Sequence, residues 1–75
     1  MVNLPDYQQR LKSLGLRIGY LRRRTGMTQE ALADQLDVSW SSISKIETGV
    51  ACPSLRMIWG ICQILQVEPR TLFDE

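Results

Sequence analysis

TQEALADQLDVSWSSISKIETG, residues 28–49, carries two helix starts and one helix stop within a short span. Thr28 and Ser39 each stand directly ahead of apolar residues at helical spacing, where a hydroxyl oxygen can accept a backbone N–H of the first turn. The first run, residues 29–36, turns Leu32, Ala33 and Leu36 inward. The second reaches Glu47 or Thr48, turns Ile43 and Ile46 inward, and meets Gly49, which suits a left-handed stop. Only Asp37-Val38 lies between the two runs, so two short capped helices meet across a tight turn.

Spacings of three and four continue on both sides. Upstream, Tyr7, Leu11, Leu14, Ile18 and Leu21 form an apolar stripe, with Pro5 suited to a first helical turn and Gly26 to a stop. Gly15 and Gly19 each cost about 1 kcal/mol against Ala inside a helix, so one long helix and two helices broken near Ser13 and Leu14 both remain open. Downstream, Val50-Ala51-Cys52-Pro53 reads as a loop. Ser54 caps a helix with Leu55, Ile58, Ile61, Cys62 and Leu65 on one stripe, and Pro69 begins a short last helix with Leu72 and Phe73. No stretch alternates as a strand does. The expected fold is all-α, a compact five-helix domain over residues 1–75. In it, residues 1–13 are an extension or the start of the first helix, 28–48 the helix-turn-helix, and 54–75 dimerisation helices.

A chain of 75 residues builds one modest core. Its 44% hydrophobic and 23% charged content is ordinary for a folded domain. No apolar run approaches the roughly 20 residues of a membrane span, and MVNLPDYQQR lacks the layout of a signal peptide, so a cytoplasmic protein is expected. Two cysteines and no histidine are too few for a disulfide scaffold or zinc site, and they remove the common Ser-His and Cys-His pairs. The reading is therefore not an enzyme: no catalytic residue, metal or cofactor is expected, with Cys62 a core residue and Cys52 a loop residue. The net charge of +1 hides an asymmetry. Residues 1–27 hold six basic residues against Asp6, net +5, whereas residues 28–75 hold three against seven acids, net −4. Such a basic end is compatible with phosphate binding.

The run LGLRIGYLRRRTGMTQEALADQLDVSWSSISKIETGVACPSL closely resembles the lambda-repressor-like helix-turn-helix family of phage and bacterial transcription regulators, and the likeness extends over residues 14–73. It is similar to the short members of that family, such as restriction-modification controller proteins, small phage repressors and antitoxins. Three positions depart from the family pattern. Asp37 stands where the family usually has Gly, Val50-Ala51-Cys52 replaces a loop that is often basic, and Trp40 replaces a polar residue such as Arg or Gln. Asp tolerates the left-handed region better than most residues, which keeps the turn feasible. The resemblance implies an ion pair between Arg22 and Glu47. It also implies backbone phosphate contacts from Thr28, Gln29, Thr48 and the amides near Ser54, with Arg23 and Arg24 adding charge.

Counting from the Ser39 cap places Trp40, Ser41, Ser44 and Lys45 opposite Ile43 and Ile46, as the expected base readers. Lys45 can donate to guanine, the serines pair with several base edges, and Trp40 suits a thymine methyl or the sugar-phosphate wall. On the fourth helix Met57, Trp59 and Ile64 widen the apolar arc to roughly 220°. With Phe73 they are the expected homodimer interface, which would set two recognition helices against a pseudo-palindromic operator. The leading reading is a dimeric, sequence-specific regulator of transcription, repressor-like, whose partner is double-stranded DNA. An antitoxin that also masks a protein toxin, and a protein-interaction module on the same fold, are the alternatives.

Overall fold

Each helix of the central pair and the one after it begins on the hydroxyl placed ahead of it. The computed structural model describes residues 4–73; the expected domain ends at 1–3 and 74–75 lie outside the described residues. Five helices follow in order: α1 Leu4–Arg24, α2 Gln29–Leu36, α3 Trp40–Glu47, α4 Leu55–Leu65 and α5 Pro69–Phe73. Thr28 Oγ1 accepts from the Ala31 N–H at 3.0 Å, Ser39 Oγ from Ser42 at 3.2 Å and Ser54 Oγ from Met57 at 3.1 Å. Each bond satisfies one of the amides that a helix leaves unpaired in its first turn.

The stops are equally local. Asp37 closes α2 in the left-handed region at φ 58°, and its N–H returns to the Ala33 and Asp34 carbonyls. Gln66 closes α4 in the same conformation at φ 60°, a stop with no glycine to announce it. Gly49 turns at φ 78°, and a Cβ there would lie 2.6 Å from Lys12 Cγ and 2.8 Å from Lys12 Cα. The turn after α3 thus lies on α1 as well as changing direction.

The two-glycine question in α1 resolves as one unbroken helix. Gly15 serves packing: a Cβ would fall 2.7 Å from the Glu47 carbonyl oxygen and closer still to that of Ile46. The end of α3 therefore rests directly on the α1 backbone, and this approach offsets the helix cost of about 1 kcal/mol.

Leu14, Ile18 and Leu21 of α1 meet Ile46 of α3, the Ile58, Ile61, Cys62 and Leu65 stripe of α4, and Leu72 of α5 in the main core. Leu32, Ala33 and Ile43 form a second cluster between α2 and α3. Met57 and Ile64 pack against both clusters, as do Met27 and Leu36. This corrects the expectation that Met57 and Ile64 are surplus apolar surface. Because α1, α2 and α5 all pack on α4, the wide apolar arc is largely consumed within the chain. Two stripe positions are corrected the other way: Leu55 is 65% exposed and Tyr7 44%. Each lies at the beginning of its helix, ahead of the section that other helices cover. Among the described residues no helix is long and apolar enough to cross a membrane.

Candidate nucleic-acid interface

Alpha-helix α3 presents two unlike sides. Ile43 and Ile46 are buried, while Trp40, Ser41, Lys45 and Thr48 are exposed and Ser42 and Ser44 are half-buried. Small side chains at 41, 42 and 44 keep the outer surface low, so the helix backbone can enter a groove about 12 Å wide. Ser39 and Ser42 hydroxyls lie 2.9 Å apart at the amino end, which ties the cap to the first turn.

Behind this surface runs a chain of hydrogen bonds joining three helices. Arg22 Nε donates to Glu47 Oε2 at 2.6 Å and its Nη2 to Glu47 Oε1 at 3.1 Å, a two-pronged pair between α1 and the end of α3. Arg22 Nη1 donates to the Met27 carbonyl at 2.7 Å, which holds the α1–α2 turn. Both partners are buried, 7% and 9% exposed, so each charge depends on the other. Gln29 Nε2 then donates to Glu47 Oε1 at 2.9 Å, and Gln29 Oε1 accepts from Trp40 Nε1 at 2.9 Å. The amide has one feasible orientation, because a carboxylate only accepts and an indole N–H only donates. Gln29 keeps one N–H beyond the one given to Glu47. The expected Arg22 and Glu47 partners are thus brought together, and Gln29 and Trp40, expected in separate roles, are joined to them.

Gly19 was not singled out as part of the site by sequence reading. A Cβ at Gly19 would stand 3.1 Å from both Arg23 Nη1 and Glu47 Oε1, so its bare surface admits the network and brings the Arg23 guanidinium beside it. Arg23 and Arg24 are exposed at the last turn of α1. Thr28 and Ser54 use their oxygens as caps and retain hydroxyl hydrogens for an outside acceptor. Thr48 differs: its hydroxyl donates back to the Ser44 and Lys45 carbonyls at 3.0 and 3.2 Å.

Residues 18–72 match the HTH_3 helix-turn-helix family. The chain belongs to this family. An uncharacterised HTH-type transcriptional regulator of Archaeoglobus fulgidus is 36% identical over 61 residues, spanning 79% of this chain and 87% of that one. The restriction-modification controller protein C.AhdI of Aeromonas hydrophila superposes with a TM-score of 0.80 at 35% identity, over 84% of this chain and 96% of its own. The clp gene regulator ClgR of Corynebacterium glutamicum shares the fold, with a TM-score of 0.80 at 24% identity over 83% and 66% of the two chains. This HTH_3 protein is a transcriptional regulator with a DNA-binding fold, and its relatives are regulators and not enzymes.

The four expected interface residues separate into two kinds, and three of them, Met57, Trp59 and Ile64, line a groove together with Asp37 and Val38 of the α2–α3 turn. Trp59 and Phe73 are 53% and 58% exposed, whereas Met57 and Ile64 are half-buried and pack against the core clusters. Phe73 borders a groove of about 440 Å³ whose other walls include Tyr7, Leu11, Cys52 and Ile58. Cys52 is exposed at its rim and Cys62 is buried. The Tyr7 hydroxyl is raised above its ordinary pKa, first by its hydrogen bond with Cys52. Burial alone pushes the Cys62 thiol up.

Proposed function

We propose that the regulator binds a pseudo-palindromic operator as a homodimer in the cytoplasm, with α3 of each protomer in the major groove. One observation carries the reading: beyond Trp40 at its start the outer side of α3 is low and polar, and the Arg22–Glu47–Gln29 chain ties it to α1 and α2. Trp40, Ser41, Ser44 and Lys45 read bases. The free N–H of Gln29, the hydroxyls of Thr28 and Ser54, and the Arg23 and Arg24 guanidinium groups bind backbone phosphates, as helix starts and cations suit. Thr48 contributes there through its oxygen-bearing edge only after its hydroxyl turns from the helix carbonyls. Within residues 54–75, Trp59 and Phe73 make the protomer contact, and the half-buried Met57 and Ile64 contribute their exposed edges. The likeness to C.AhdI supports regulation of a nearby promoter.

Selection from random DNA, followed by affinity measurement against salt, tests the proposal. A two-fold-symmetric consensus is expected, with log K falling by about 0.9 per log salt for each phosphate neutralised. No enriched sequence, or a flat salt response, would overturn the DNA reading. A monomer mass by light scattering at tens of micromolar would overturn the dimer.

A further inference from the structure

We infer that Trp40 makes the regulator a reader of the pyrimidine C5-methyl group, which it senses in thymine and in 5-methylcytosine. The inference rests on the proposed DNA binding and deepens it. Trp40 is the first residue of α3, at the end of a recognition helix that reaches base edges, and 53% of it is exposed. Its indole carries one hydrogen-bonding group, the Nε1–H, and that group is spent on Gln29 Oε1 at 2.9 Å. Gln29 is in turn fixed by Glu47, and Glu47 by the buried Arg22 guanidinium. What the ring can offer a groove is therefore carbon surface held in one place. It has no donor left with which to recognise N7, O6 or O4. Among the groups that base pairs display in the major groove, the C5-methyl is the apolar one. A ring so anchored discriminates by the presence of that methyl, and the same methyl on cytosine satisfies it.

The proposal separates base identity from methyl contact, and so does its test. The selected operator is remade with each thymine replaced singly by uracil, which removes the methyl and leaves every base-pairing group in place. Affinity is expected to fall at one position per half-site by about fourfold, the value of one buried methyl. At that position a cytosine in place of the thymine binds weakly, and 5-methylcytosine recovers about the same fourfold. Trp40→Ala and Trp40→Gln both lack the ring and are each expected to bind uracil and thymine operators alike, while still preferring the operator over random DNA. Uracil substitution without effect at every position in the unaltered protein overturns the inference whether or not the variants fold. Persistence of the methyl effect in either variant overturns it as well. Absence of any selected sequence overturns the DNA reading beneath it, and is distinguished because no operator exists to substitute.

Discussion

The α2–α3 half and the α4–α5 half of this small domain are held by different physics. In the first, helices of eight residues each share one small apolar cluster of Leu32, Ala33 and Ile43. To that packing are added directional bonds running from the Met27 carbonyl through Arg22, Glu47 and Gln29 to Trp40. In the second, α4 is buried by its apolar stripe and by Met57 and Ile64. Apolar packing tolerates small displacements, because its attraction is non-directional. Hydrogen bonds with an ion pair at their centre do not, and a helix that must present fixed side chains to a ligand gains from that intolerance.

The strongest way to break the contrast is Glu47→Ala. It leaves the buried Arg22 guanidinium without its counter-charge and releases Gln29 from its anchor on α3, so a loss of about 3–5 kcal/mol is expected in urea or thermal unfolding. A change under about 1 kcal/mol would mean that packing, and not the ion pair, holds α3. Gly15→Ala is the next test. Helix propensity alone predicts a gain of about 1 kcal/mol, but a Cβ at 2.7 Å from the Glu47 carbonyl oxygen forces α3 off α1. A net loss of about 1–3 kcal/mol is expected from overpacking, measured by the same unfolding curves. A stabilised variant would place the two helices further apart than they are here.

The smallest effect sharpens the comparison from the apolar side and needs no substitution. The thiolate is the reacting form of cysteine, so a thiol both buried and raised in pKa reacts slowly near neutral pH. Mass spectrometry after alkylation is expected to find label on exposed Cys52 and little on Cys62 until denaturant is added. Equal labelling of the two in the native protein would show that the α4 core opens readily.

Much of the fold is legible in residues 28–54 because its determinants are short-range. A hydroxyl at 28, 39 or 54 finds its amide three residues on, and Asp37 turns the chain without reference to anything distant. The stripe Ile58, Ile61, Cys62 and Leu65 is legible for the same reason, since helical periodicity alone places those side chains together. Tertiary structure decided whatever depends on residues far along the chain. Gly15 reads as a helix breaker until the end of α3 is laid against it, and Met57 and Ile64 read as spare surface until α2 covers them. The bond from Trp40 to Gln29 spans 11 residues, a separation at which no local pattern of sequence distinguishes partner from bystander, and the pair from Arg22 to Glu47, 25 residues apart, is legible through the family resemblance and not through any local pattern. Helix caps are set by chemistry within one turn, whereas the choice of neighbours for a side chain is made only when the helices pack.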